Sequence, residues 1–301
     1  MRNRFGILFV ALFALLTVSA AGAAPDAPAG KIRVLIIDGQ NNHNWRQTTP
    51  HLKKVLEDSG RFTVDVSSNL KAGDKPGEVQ PTVPFPPDLG KYDVVLSNYN
   101  GAPWPAEFNQ ALEERLKNGQ IGLVIVHAAN NAFGGWNEYN QMIGMGWRNA
   151  KAGDRLILDD SGKEVRVPAG QGDNSGHRYT GEFTVTVRDA EHPVTKGMPR
   201  EWLHTRDELY DNMRGPIQNV HLLATAYSKG TKVHEPMIWT VMYGKGRVFH
   251  TPMGHDLTGM RCLGFVATLQ RGTEWAATGK VTLPLPKDFP TADKTSALPG
   301  K

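Results

Sequence analysis

Two stretches of this chain, Ile32-Arg-Val-Leu-Ile-Ile-Asp38 and Ile121-Gly-Leu-Val-Ile-Val126, are apolar at nearly every position rather than at every second one. A strand with one face in water alternates apolar and polar residues, whereas a strand covered on both faces does not. Both runs are short, rich in Val and Ile, and bounded by Gly39 and Asn118-Gly119. They therefore read as buried parallel strands, and parallel strands need helical crossovers. The segments between them supply these. Residues 48–59 carry Leu52, Val55 and Leu56 at helical spacing, with Pro50 expected in the first turn. Residues 62–66 and 92–97 read as further strands, 71–90 as a proline-rich loop, and 106–117 as a second helix. The fold class that follows is α/β: a single doubly wound, mostly parallel sheet with a β-rich C-terminal half. That half is expected to contribute strands at 182–187, 222–227, 237–243 and 247–251. A polar excursion at 150–175 carries a hairpin around Asp159 to Gly162.

The N-terminus has a separate logic. Arg2 and Arg4 precede an apolar run at 5–18, followed by small residues through Ala24. This is the pattern of a secretory signal, for which the small-x-small rule favours cleavage after Ala23 over the alternatives after Ala20 or Ala21. The run is shorter than the roughly 20 residues of a membrane span. The expected organisation is therefore a signal peptide at 1–23, a linker at 24–30, one α/β domain at 31–283 and a flexible proline-bearing tail at 284–301. Export to the periplasm or beyond a bacterial cell follows, with no membrane association once the signal is removed. The single cysteine, Cys262, leaves stability to the core rather than to disulfides. The net charge is +4, and Arg2 and Arg4 supply two of those charges. No basic block remains to grip phosphates, so a nucleic-acid partner is not expected.

Ligands of open parallel sheets sit beyond the carboxyl ends of the strands. Three histidines follow such ends: His43 after the first strand, His127 after the fourth, and His255 after the strand at 247–251. Asn130 and Asp256 lie beside them in sequence. Asp207-Glu208-Leu-Tyr210 is the main acidic cluster, expected in a facing loop, and His177 follows the polar excursion. Trp45, Trp136 and Tyr210 are candidate flat faces for a sugar ring, and His43, Asn130, His177 and Asp256 candidate partners for its hydroxyls. His127, His255 and Glu208 are the candidate catalytic groups. No Gly-x-Ser-x-Gly elbow, His-x-x-x-His or Cys-x-x-Cys is present. A zinc-like divalent ion, if held at all, must be gathered from His43, His127, Glu208 and His255 on separate segments.

Taken in order, these motifs resemble the ThuA-like (trehalose utilisation) family. The resemblance runs through Asn42-His43-Asn-Trp45, Tyr92-Asp-Val-Val95, Gly122-Leu-Val-Ile-Val-His127-Ala-Ala129, and Trp136 with Tyr139-x4-Gly144. It continues through Gly176-His177, His192-Pro193, Asp207-Glu-Leu-Tyr210, Pro236-x-x-Trp239, Gly244-Lys-Gly-Arg-Val-Phe249, Gly254-His255 and Trp275. The segment from Gly144 to Arg148 departs from the plainer loop of the pattern. The resemblance implies a class I glutamine amidotransferase-like fold and a role in disaccharide catabolism, in some members through 3-keto sugars. Amidotransferases of that fold carry a cysteine where this chain has His127, so amidotransferase chemistry is not expected. The expected function is hydrolysis or elimination of a glycoside or 3-keto sugar. A non-catalytic exported sugar-binding module is the alternative.

Overall fold

The computed structural model describes residues 30–159 and 161–300. The expected signal segment and most of the linker lie outside the described residues. Among those described, no helix is long and apolar enough to cross a membrane.

Strands β1 (Ile32–Asp38), β2 (Phe62–Ser68), β3 (Val94–Ser97), β4 (Gly122–Val126) and β11 (Gly246–Thr251) form the parallel half of one sheet. Their order, β2-β1-β3-β4-β11, is that of a doubly wound flavodoxin-like sheet. The residues explain why. On β1, Ile32, Val34 and Ile36 face one core, while Leu35 and Ile37 face another. On β4, Val124 and Val126 join the first core, and Leu123 and Ile125 the second. Helices α1 (Trp45–Asp58) and α5 (Leu263–Thr278) cover the first face through Leu52, Leu56, Phe265 and Leu269. Helices α2 (Ala106–Lys117) and α3 (Asn137–Ile143) cover the other through Phe108, Leu112, Tyr139 and Ile143. Two-faced burial is thus what made these strands continuous apolar runs.

The sheet as a whole is mixed, which corrects the expectation of a mostly parallel one. Beyond β11 it continues antiparallel through β10 (His234–Tyr243), β9 (Val220–Tyr227), β7 (Gly176–Val187) and β8 (Glu201–Asp211). The hairpin expected near Asp159 is present as β5 (Arg155–Leu158) and β6 (Glu164–Val167). Helix α1 begins at Trp45, three residues earlier than the spacing suggested, so Pro50 lies beyond the first turn. The segment 207–210, expected as a loop, is instead the end of β8.

The C-terminal segment also differs from expectation. Residues 284–300 run extended against the domain rather than free of it. Leu203 N–H donates to Thr291 O, Leu263 N–H to Ser296 O and Leu298 N–H to Arg261 O, and Phe289 and Leu298 pack on the core. Its prolines keep the chain extended without preventing the apolar residues between them from docking. Deleting residues 284–301 is expected to cost about 2–3 kcal/mol for two partly buried side chains, lowering Tm by roughly 5–10 °C. Thermal unfolding of the truncated protein checks this, and an unchanged Tm would restore the flexible tail.

Candidate active site

Thr251 of β11 pairs with Val126 of β4, so the residues that follow both strands leave the sheet side by side. His127 opens a short turn, His127–Asn131, with φ 45°. That left-handed backbone is uncommon for any residue but glycine, and strain of this kind collects at functional sites. On the other side, Gly254 adopts φ 100°, and a Cβ there would lie 2.8 Å from the Phe265 ring. Glycine lets the chain turn tightly and deliver His255. The loop after β1 delivers His43.

Glu208 arrives from β8, the last strand in the sheet order, because its neighbour ties the two edges together. Asp207 is fully buried and accepts hydrogen bonds from Gly254 N (2.7 Å), His255 N (2.9 Å), Glu208 N (2.8 Å) and His204 Nε2 (2.8 Å). At Gly259 in α4 (Leu257–Met260) a Cβ would come within 2.5 Å of this carboxylate, so only glycine admits it. Burial pushes the Asp207 carboxyl up, but the His204 imidazole, then His127 and the Gly254 amide, hold it below the usual range. Burial likewise opposes a charge on His204, while the adjoining Cys262 sulfur and Asp207 raise its pKa to about 9. The antiparallel extension is thereby curled back over the carboxyl edge of the parallel strands.

Four groups meet there. Suitable atoms of His43, His127, Glu208 and His255 all lie within 4.8 Å of one another. His127 and His255 have ring centroids 5.4 Å apart. Hydrogen bonding sets both facing tautomers. His127 Nδ1 lies 2.6 Å from Pro252 O, so it must carry the proton, leaving a lone pair on Nε2. His43 Nδ1 lies 3.2 Å from Asn41 Oδ1 and 3.1 Å from Asn42 Oδ1. Both are acceptors: Asn41 spends its amide N–H groups on Asn98, and Asn42 Oδ1 accepts from Asn100 Nδ2. His43 therefore also has a lone pair on Nε2. The two Nε2 atoms face each other at 3.3 Å.

The electrostatics follow from burial. Burial, then the neighbouring His127 and His255, depresses His43 to about 4. Burial likewise lowers His127, against the pull of Asp207 and the Pro252 carbonyl. Both are neutral imidazoles near pH 7. His255 moves the other way, raised by Glu208. Glu208 is pushed up by burial, but His255, His127 and His177 outweigh this and keep it ionised. Its Oε2 lies 3.1 Å from His255 Nδ1 and 3.7 Å from His127 Nε2, and its Oε1 lies 3.5 Å from His177 Nε2. The His255 Nδ1 contact is poorly aligned, leaving this buried nitrogen without a well-formed hydrogen bond. Tyr210 Oη sits 3.0 Å from His127 Nε2, its pKa raised by burial and then by Glu208 and Asp207.

His43, Glu208, Tyr210 and His255 line a cleft of about 540 Å³ with Asn42, Asn44, Asn131, Trp147, His177 and Asp256, and buried His127 adjoins it through its contacts with His43, Glu208 and Tyr210. No arginine or lysine lines it, and the volume suits a small ligand. Trp147 makes edge contacts with Tyr210, at a centroid distance of 4.7 Å, and lies 5.8 Å from His177. Asp256 lines the cleft but also caps α4, accepting from Thr258 N and Gly259 N.

Of the expected site residues, His43, His127, His177, Glu208, Tyr210, His255 and Asp256 come together. Three others do not line the cleft. Trp45 is buried at the start of α1, with the Arg46 guanidinium over its ring. Trp136 bonds Glu113 and stacks on Tyr139. Asn130 is wholly buried, its amide on His250 Nε2 and its Oδ1 accepting from Trp147 N (3.2 Å). It supports the cleft wall instead of touching a ligand. His250 serves as its anchor: burial lowers it to about 3, and its Nδ1 donates to Ile143 O. The residues missed were Asn42, Asn44 and Asn131, each next in sequence to a residue that was named.

A family model described as ThuA, trehalose utilisation, matches residues 33–276. A solved ThuA-like protein from Parabacteroides merdae is 43% identical, with a TM-score of 0.80 over 89% of this chain and 98% of that one. A second, from Bacteroides uniformis, is 20% identical with a TM-score of 0.54 over 87% of this chain and 97% of its own, a likeness of fold alone. No curated protein matches the chain. The chain belongs to the ThuA (trehalose utilisation) family.

Proposed function

We propose that this chain is an exported enzyme of carbohydrate catabolism that hydrolyses or eliminates a glycoside or a 3-keto sugar in the His127 cleft. The observation that carries this reading is the meeting of neutral His43 and His127 with an ionised Glu208 and a raised-pKa His255 in one partly water-excluded space. Perturbed groups of opposite tendency, gathered in a cleft, are what acid, base or ligand chemistry requires. The family description ties the chain to carbohydrate use. The lining suits a neutral sugar, with the Trp147 face for a ring and the Asn42, Asn44, Asn131 and Asp256 groups for hydroxyls. The N-terminal pattern of residues 1–24 supports export.

In an elimination, a base takes the proton beside the keto group and that electron pair becomes the new double bond. The glycosidic C–O bond breaks, and its oxygen leaves with a proton. In a hydrolysis, water adds across the same C–O bond. Either route needs a proton acceptor and a group that stabilises charge on oxygen, and His127, His255 and Glu208 are the residues assigned to this work. Cys262 is buried behind the site and takes no part. A plain sugar-binding module would use the same Trp147 wall, but it has no need of two imidazole lone pairs facing each other. The test is turnover of trehalose and its 3-keto form by the mature protein, followed by product analysis. The reading requires cleavage of one of them or of a related disaccharide, and binding without cleavage across such a panel would favour the module.

A further inference from the structure

We infer that His43 Nε2, His127 Nε2, His255 Nδ1 and Glu208 Oε2 form a binding site for one divalent transition ion of zinc type. The inference rests on the proposed function only for what the ion would do, not for whether it binds. The argument starts from the two lone pairs. Each Nδ1 is committed to a fixed acceptor, Pro252 O for His127 and the Asn41 and Asn42 amide oxygens for His43. Such outer partners orient metal-binding imidazoles and raise their basicity. What remains is a pair of Nε2 lone pairs pointing at one another across 3.3 Å. Without a proton or cation between them, that contact is repulsive.

The spacing favours a cation. Two zinc–nitrogen bonds of about 2.0–2.1 Å at a tetrahedral angle put their nitrogens about 3.3–3.4 Å apart. A second observation points the same way. His255 Nδ1 is buried, lacks a well-formed hydrogen bond, and lies 3.1 Å from Glu208 Oε2. Glu208 brings an ionised oxygen, and with His255 giving up its proton to solvent as the ion binds, the set is three imidazoles and one carboxylate, suited to zinc and its neighbours. The widest ligand pair, within 4.8 Å, must close by about an ångström around a single ion. The His255 side chain is a third exposed and has room to do so. Tyr210 Oη also contacts His127 Nε2, but a hydroxyl hydrogen rotates easily, so it does not hold that lone pair against a cation. The open side of the cluster faces the cleft, where an ion would polarise a carbonyl or activate water. His127 and His255 then serve as ligands, and proton movement at the substrate falls to His177 and Tyr210, which line the same cleft.

The experiment is zinc titration of chelator-stripped full-length mature protein by calorimetry, with cobalt substitution read by visible absorption. One equivalent should bind, and cobalt should give the intense bands of a four- or five-coordinate site. His43→Ala, His255→Ala and Glu208→Gln should each weaken zinc binding by at least about 100-fold, since losing even an outer partner costs 10–100-fold. His221→Ala, far from the cluster, should bind as the parent does. Circular dichroism establishes that each variant is folded, and Glu208→Gln keeps the side-chain shape if a histidine variant is not. Binding no tighter than about 100 µM, or equal binding by the parent and all three variants, overturns the site. Tight zinc binding with no sugar turned over would sink the functional reading and leave the site standing. Sugar turnover together with no zinc binding tighter than about 100 µM would do the reverse.

Discussion

Asp207→Ala is expected to destabilise the protein by roughly 3–5 kcal/mol, the loss typical of breaking a buried charge pair from one side. The carboxylate is wholly buried, and all its partners are fixed: the backbone N–H groups of Glu208, Gly254 and His255, and the His204 imidazole. Alanine strands three amide donors, the Gly254 one buried and the other two part-buried, and leaves a histidine, itself wholly buried, beside an empty space. Each unpaired donor costs on the order of 1–3 kcal/mol before any relaxation. Tm should fall by about 10 °C for a domain of this size. Because the same carboxylate joins β8 to the loop after β11, Glu208 and His255 should also lose their register. Asp207→Asn should retain part of the stability, since one oxygen remains to accept. Thermal unfolding by circular dichroism decides it: a loss below about 1 kcal/mol would mean that water replaces the carboxylate and that the clamp is not structural.

How far the sequence reveals this arrangement depends on whether the cause of each feature is local. The parallel strands were legible because burial on both faces writes itself into each residue of Ile32–Asp38 and Gly122–Val126. The meeting of His43, His127 and His255 was legible because strand ends in such a sheet share an edge. By contrast, β8 carries Arg206, Asp207 and Glu208 together, and a charged run reads as a solvated loop. Its acids are buried by partners some 48 positions away, which no local pattern reveals. Helix α5 escaped notice for the opposite reason. Twelve of its sixteen residues are buried, including Arg271 and Glu274, so it has no polar stripe to mark a period. Asn130, Trp45 and Trp136 follow strands or turns, but position after a strand does not say which way a turn points its side chains. The facing lone pairs of His43 and His127 depend on the orientation of the Asn41 and Asn42 amides, a fact of three-dimensional hydrogen bonding alone.

Replacing His127 by alanine should lower turnover by about 10²–10⁴ while leaving sugar affinity within several-fold of the parent, whether His127 moves a proton or holds an ion. The imidazole lies deep, with only 3% of its side chain exposed, and its Nε2 lies against His43, Glu208 and Tyr210, which line the cleft. Sugar contact falls instead to Trp147, Asn42, Asn44 and Asn131, which the substitution leaves in place. The backbone needs care, because residue 127 sits at φ 45° and alanine tolerates that region at a cost of about 1–2 kcal/mol. His127→Asn is the companion variant: asparagine enters the left-handed region more readily and removes the imidazole just the same. Both should unfold within a few degrees of each other, and both should lose turnover. Steady-state kinetics on a cleaved disaccharide, paired with calorimetric binding of the same sugar, separates the outcomes. If turnover persists in both folded variants, the reacting centre is not at the end of β4. If affinity collapses along with turnover, His127 belongs to the sugar contacts, and the chemistry must be sought at His177 and Tyr210 instead.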